Sequence, residues 1–552
     1  CRSLRYRQVR SVTDQTQKAG RCILRYSYKC DRITTRGSVK RDAVALRPAI
    51  NMRAFIVCGA VLSLINVACS LPENYARLRF ELLDEESQIA VGGKLNLTDD
   101  ENTVNDILMR WKNQELNDSF INPQHFNFSK HYFSYKNDIA KSKVYQIIRR
   151  MPKGAALHVH SSLMLDPSVL VTLTYMDHLY ACYVNGHLSL QFSDSTPHRP
   201  CLSEWSLVSD LRNSSGDAVA FDAQLKNHFT LYKDDGEDYN NVDINTVWER
   251  FNEVYHSIKT LISYRPARER YWYETLRTFY EDNVMYIEVR SGLHGLYELD
   301  GTKHSREYLL ELYKRVTNEF IEDHPDFVGI KLIVTKHRAK HIEDILDALT
   351  LARKMKKKMP DMIAGFDLVG QEDLGRPLTD FLPVLSEAKD EIDFYLHAGE
   401  TAWSGTSTDE NLVDAILLGS KRIGHGYALM KHPTLLDTVI KRNIALEVNV
   451  ISNVVLSLVH DVRNHPLASY LAMGLPVVLS SDDPGAWSSK PLSHDFFVAF
   501  MGVASQKADL KILKQLAMNS ITYSALDDAG KTKFFDVYND LNNRGLDYNQ
   551  TV

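Results

Sequence analysis

The chain has 552 residues, room for two to four domains at roughly 150 residues each. With 44% hydrophobic and 24% charged residues its composition is ordinary for a globular protein, which excludes a mostly disordered, collagen-like or coiled-coil chain. No apolar run reaches the roughly 18 residues of a membrane span, and the net charge of −5 conceals a basic start, with 13 Lys and Arg against 3 Asp and Glu in residues 1–51.

Met52-Arg53 opens an apolar stretch, 54–68, that ends in Cys69-Ser70-Leu71-Pro72. A short positive start, a short apolar region and small residues at Ala68 and Ser70 describe a secretory signal peptide over 52–70, cut after Ser70. Residues 1–51 lie upstream of this initiator and are expected to be translated leader rather than native protein. The alternative is a basic arm for nucleic acid. Without residues 1–70 the chain holds 51 basic and 67 acidic residues, a net of −16, which argues against nucleic acid or an anionic membrane as partner. Of seven cysteines only Cys182 and Cys201 remain, and outside the cell they are expected to pair. Five sequons, at Asn96, Asn117, Asn127, Asn213 and Asn549, agree with export as a glycoprotein.

Residues 71–150 read as a helical N-terminal segment. Beyond it, short apolar runs alternate with amphipathic stretches. Strands are expected at 155–159, 284–289, 330–335, 363–369, 394–396, 422–424, 444–448 and 476–479. Eight strand–helix units predict an α/β fold, a (β/α)8 TIM-type barrel built from 151–172 and 244–545. A doubly wound sheet is the runner-up, but no glycine-rich phosphate turn follows the first strand. The first gap, about 124 residues, holds both cysteines and Asn213, so 173–243 reads as a disulfide-stapled insertion after strand one. The basic run 353–358 reads as a solvated helix face, with a glycosaminoglycan patch as the alternative.

Four strand ends carry metal-type chemistry. Alternation along the first strand puts His158 and His160 on one side, where both reach one ion. His397 and Glu400 follow the fifth strand, His425 the sixth, and Asp482 and Asp483 the eighth, the end at which barrel enzymes place reactive groups. His158, His160, His397 and Asp482 would bind one divalent ion, best Zn2+, with a position open for water. Glu400, His425 and Asp483 stay free for proton transfer and substrate. The residues alone point to metal-assisted hydrolysis; phosphotriester, amide and amine hydrolysis all fit.

The motif set is more specific. Met151-Pro152-Lys153-Gly154 before His158-x-His160, Tyr286–Arg290, Gly365–Asp373, His397-Ala398-Gly399-Glu400, Gly424-His425-Gly426 and Ser481-Asp482-Asp483-Pro484 resemble the adenosine deaminase family. The likeness is strongest to its secreted branch, the adenosine deaminase 2 or adenosine deaminase-related growth factors. The resemblance implies one zinc per subunit on the four ligands named. Glu400 would protonate purine N1, while His425 orients and deprotonates the water. Asp483 would meet N7, Gly370 N3, and Trp248 the substrate. It implies a homodimer through 71–150, conversion of adenosine and 2′-deoxyadenosine to inosine products and ammonia, and a receptor-binding insertion. The rival role is a receptor-binding growth factor in which catalysis is secondary. Two positions depart from the branch: Ser161 stands where Asp contacts ribose, and Val450 where Pro is expected. Deamination of AMP would need cations near the ribose, and no such cluster stands beside these motifs.

Overall fold

The computed structural model describes residues 73–184, 187–233, 239 and 242–545; the leader, the signal-peptide segment and Asn549 lie outside them. Residues 73–79 are helical, the start of a helix Glu73–Ile89, and one compact unit runs from Phe80 onward. Within that unit α1 (Asp99–Ile121) opens on a capping box, Thr98 and Glu101 satisfying each other's backbone N–H. Its Lys112 is buried and donates to the carbonyls of Ser505 and Ala508 at 2.9 and 2.8 Å, and Glu101 takes Lys514 at 2.6 Å. The helical segment expected ahead of the barrel is thus fastened to the chain's C-terminal helices. Next, α2 (Lys143–Arg150) leads into the first strand.

Eight parallel strands form the centre. β1 (Gly154–His160), β2 (Val284–Ser291), β3 (Gly329–His337) and β4 (Ile363–Val369) pair in that order. β5 comes in two pieces, Asp393–Phe394 against β4 and His397–Ala398 against β6 (Arg422–His425). β7 (Ala445–Val448) and β8 (Val477–Leu479) complete the set, and a bridge from Val159 to Asp482 closes the barrel. All eight expected strands are present, with ends shifted by a residue or two. The fifth is interrupted because the N–H of His397 donates to the Asp367 carboxylate at 2.8 Å rather than to a strand carbonyl. β2 is buried along its whole length, as a strand between barrel interior and helical shell must be.

The helices form that shell. α3 (Ile244–Leu261) and α4 (Arg265–Glu281) precede β2, α5 (Arg306–Asp323) follows it, and α6 (Ile342–Lys358) joins β3 to β4. The basic run at the end of α6 is laced to neighbouring acids: Arg353 and Lys357 to Glu391, Lys354 to Glu307, Lys358 to Glu311. That is the solvated helix face expected of it.

Between β1 and α3 lies the insertion. Leu179–Val184 pairs antiparallel with His187–Phe192 and with Ser206–Leu207. A disulfide joins Cys182 to Cys201, with Cα atoms 6.5 Å apart. The sheet rests on α3, where Ser257 Oγ donates to the Leu188 carbonyl and Thr260 Oγ1 accepts from Leu190 N–H, both at 3.1 Å. At its far end Thr230 Oγ1 and Leu231 N–H donate to the Ala486 carbonyl. The insertion is therefore tied to the loop that carries Asp482 and Asp483. Asn96, Asn117 and Asn213 are exposed, and Asn127 is half-buried.

Candidate active site

At the C-terminal ends of the strands, side chains from β1, β5, β6 and the turn after β8 converge. His158, His160, His397 and Asp482 each offer one ligand atom, and these atoms lie within 4.8 Å of one another. His158 Nε2 and His397 Nε2 face each other at 3.1 Å. Their other nitrogens are committed: His158 Nδ1 meets Glu447 Oε2 at 2.7 Å, and His397 Nδ1 meets Asp367 Oδ2 at 2.6 Å. Each ionised carboxylate accepts a hydrogen bond from Nδ1–H, so both Nε2 atoms present lone pairs to one point. Two lone pairs at that distance repel unless a cation lies between them. With Asp482 Oδ1 at 3.0 Å from His160 Nε2 and 3.5 Å from His158 Nε2, the donor set fits a divalent ion of the zinc type.

A buried charge network fixes these orientations. Arg290 donates to Asp367 at 2.8 Å and to Glu447 at 2.6 Å; Arg422 donates to Glu447 and Glu288, both at 2.6 Å. Burial alone raises the carboxyls of Asp367 and Glu447, but for Asp367 the neighbouring His397 and Arg290, and for Glu447 Arg290 and Arg422, hold them below their ordinary values. Burial drives His397 down to about 3 and also lowers His160, so both are neutral ligands. Burial raises the Asp482 carboxyl, but the imidazoles of His158 and His160 beside it outweigh that and hold it well below its ordinary value, and Ser452 Oγ donates to its Oδ2 at 2.8 Å. Asp482 and His425 both hold left-handed backbone, φ 57° and 59°, strain of the kind stored at working sites.

The other acids beside this cluster behave oppositely. Burial, then the charges of Asp482 and Glu372, pushes Glu400 well above the usual carboxylate range. Burial and Asp482 do the same to Asp483. Both carboxyls are thereby biased toward the protonated form, which can donate. His425 Nδ1 lies 3.5 Å from Glu400 Oε1. A relay sets its tautomer. Leu467 N–H donates to His465 Nδ1, so His465 Nε2–H donates to Asn453 Oδ1 at 3.0 Å, and the Asn453 amide donates to His425 Nδ1 at 3.2 Å. Burial keeps His425 neutral, so its hydrogen sits on Nε2, an atom without a hydrogen-bond partner in the protein. Asp482 Oδ1 and Asp483 Oδ1 are likewise buried and unpartnered. These atoms face a cavity of about 490 Å³. Such a pairing of metal-type ligands with proton-donating acids suits metal-assisted hydrolysis.

The family profile described as Adenosine deaminase matches residues 227–540, and that described as Adenosine/AMP deaminase N-terminal matches residues 54–148. The human protein named adenosine deaminase 2 is 40% identical over 505 residues, spanning 90% of this chain and 97% of its own. This chain belongs to the adenosine deaminase family. A protein of Aedes albopictus named adenosine deaminase is 41% identical over 464 residues, covering 83% of this chain and 86% of its own. Among solved structures, an Arabidopsis N6-mAMP deaminase superimposes with a TM-score of 0.51 at 18% identity over 72% of this chain and 99% of its own, a likeness of fold.

The residues that a member of this family is expected to use meet at one place here. Gly370 and Trp248 line the same cavity as the cluster, Gly370 at the end of β4 and Trp248 on α3 against Phe251, ring centroids 5.2 Å apart. Gly370 has φ 100°, a conformation that favours glycine, and a Cβ there would require the exposed His337 imidazole to move. Ser161 lines the cavity too, held by its own N–H to the Arg290 carbonyl at 2.9 Å. Val450 is the first residue of a short helix, Val450–Val455, a position where proline is favoured but not required. Sequence reasoning missed Asp367, Glu447, Arg290, Arg422, Asn453 and His465. The first four had a signal: each is a charge interrupting an apolar strand.

Proposed function

We propose that the protein is a secreted, zinc-dependent deaminase that converts adenosine and 2′-deoxyadenosine to the inosine nucleosides and ammonia. The observation that carries this reading is the pair of imidazoles locked face to face by Glu447 and Asp367, across from a Glu400 kept neutral. His158, His160, His397 and Asp482 would hold the ion; bound there, zinc supplies a water of pKa near ~7, a nucleophile at neutral pH.

The chain's own groups do the rest. Glu400 donates its proton to N1 of the purine, drawing electrons from C6. Asp483, neutral by burial, donates to N7. His425 presents Nε2–H and orients the attacking oxygen; with Nδ1 taken by Asn453, it acts by position more than as a base. The attacking water returns one proton to Glu400 as its oxygen bonds to C6; its second proton passes to the exocyclic nitrogen, the C6–N bond breaks, and ammonia leaves with inosine as product. Gly370 lets the backbone approach the ring closely, and Trp248 offers an aromatic wall. The signal-peptide pattern, the sequons and the Cys182–Cys201 disulfide support export. Dimerisation through 71–150 and receptor binding by 173–243 belong to the same reading and rest on resemblance.

The test is loss of adenosine absorbance with protein secreted from a gene beginning at Met52. Deamination that a chelator abolishes and zinc restores is the expected result. Folded, metal-loaded protein that leaves adenosine and 2′-deoxyadenosine intact would overturn the reading.

A further inference from the structure

A buried ion pair outside the metal-ligand cluster grips the backbone that carries Glu400. Arg338 directly follows β3, Glu372 lies in the turn after β4, and Arg338 Nη1 is 3.4 Å from Glu372 Oε2. Both side chains are buried, and among the described residues Glu372 is the only carboxylate that pairs with this guanidinium. Arg338 Nη2 donates to the His397 carbonyl at 3.0 Å. Glu372 accepts from Gly399 N–H at Oε2 and from Glu400 N–H at Oε1, both at 3.2 Å. The stretch His397–Glu400, a metal-type ligand at one end and the acid at the other, is thus held by both charges. β5 ends at Ala398, and beyond it the side-chain carboxylate supplies the acceptors that a strand would. Asn411, on the helix Ser407–Leu417, steadies that carboxylate: Nδ2 donates to Oε2 at 2.9 Å, and Oδ1 accepts from Leu378 N–H at 2.7 Å.

Resting on the deaminase reading above, we propose that Glu372, braced by Arg338 and Asn411, is the positioning residue that aims Glu400 at the purine. None of the three lines the cavity, so they act through the acid and not on the substrate. The acid needs such a hold. Gly399 has φ 74° and, without a Cβ, restrains the chain least of any residue. The Glu400 carboxyl makes no hydrogen bond within the described protein, so its direction depends on its own backbone. Gly370 and Glu372 share one turn, so the segment that lies against the ring also sets the acid that protonates it. A shift of about 1 Å in such a group costs about 100-fold in rate.

The experiment is a double-mutant cycle on zinc-loaded protein with adenosine as substrate. Glutamine at 372 keeps one acceptor oxygen; turned to hold Gly399 and Asn411, it sets its NH2 against the Glu400 N–H. Glu372→Gln should lower kcat by about 10- to 100-fold, with KM within about threefold and zinc content at the parent level. In the Glu400→Gln background the same change should cost less than about threefold, because no proton donor is left to aim. A full loss in both backgrounds, or a raised KM with kcat held, overturns the inference and leaves the deaminase reading standing. Glu372→Gln strands the Arg338 charge; if it does not fold, Asn411→Ala, which keeps the ion pair, runs the same cycle, with about a three- to tenfold loss expected only where Glu400 is present. A parent protein that leaves adenosine intact overturns the deaminase reading, and the inference with it.

Discussion

Asp367→Asn isolates what the carboxylates beneath the metal ligands do. In the parent, Asp367 Oδ1 accepts from His397 N–H at 2.8 Å, and Oδ2 accepts from His397 Nδ1 at 2.6 Å and Arg290 Nε at 2.8 Å. An asparagine has one acceptor oxygen. With its NH2 at the Oδ2 position it opposes two donors; flipped, it opposes one and loses the strand-end bond. The imidazole's escape is to move its proton to Nε2, which removes the lone pair meant for the ion. Loss of such a supporting partner weakens metal binding about 10- to 100-fold, about 1.4–2.8 kcal/mol. Arg290 keeps Glu447 as a partner, so destabilisation should fall at the low end of the range for a broken buried pair, about 3 kcal/mol. Zinc affinity measured against a competing chelator, alongside thermal unfolding of the loaded protein, checks both figures. A zinc affinity within twofold of the parent would refute the tautomer argument.

Glu400→Gln should lower kcat by about 10²- to 10⁴-fold while zinc content and KM hold, since it removes a proton donor but not a ligand; a KM effect alone would contradict that. Replacing Cys182 and Cys201 together by alanine should destabilise the insertion by about 3 kcal/mol, read by limited proteolysis of 173–243 against the barrel. Unchanged cleavage there would count against the staple. Asp495 is buried with Oδ2 unpartnered, and burial pushes its carboxyl from 3.8 up to about 8. Between those values the folded chain holds a proton that the unfolded chain lacks, so this group's contribution to stability falls as pH rises through the window. Asp495→Asn should therefore melt further above the parent at pH 8 than at pH 5, and a gap that narrows with pH would show the sign to be wrong.

The eight strands were legible because each is a short apolar run bounded by polar residues, and the ligands because they follow those runs directly. His158 and His160 needed only the two-residue repeat of a strand. The supporting network was harder. Glu288, Arg290, Asp367, Arg422 and Glu447 pair across the barrel over separations of 25 to 157 residues, distances at which local pattern carries no partner information. The lysines that line the cavity were invisible as a group for a related reason. Lys259 sits on a helix, Lys340 in a turn, and only barrel closure sets them around one space. The break in β5 depends on a single backbone N–H choosing a carboxylate, which no propensity encodes.

α3 has two clients. One face lines the cavity through Trp248 and Lys259, and the same helix carries the insertion's sheet through Ser257 and Thr260. An antibody or other macromolecule that grips the stapled sheet and shifts this helix changes the cavity's affinity for a nucleoside. Linkage then works in reverse: a nucleoside analogue held in the cavity changes that macromolecule's affinity by the same factor. Exterior and interior are joined by a single rod, so a ligand on either side of α3 is read on the other.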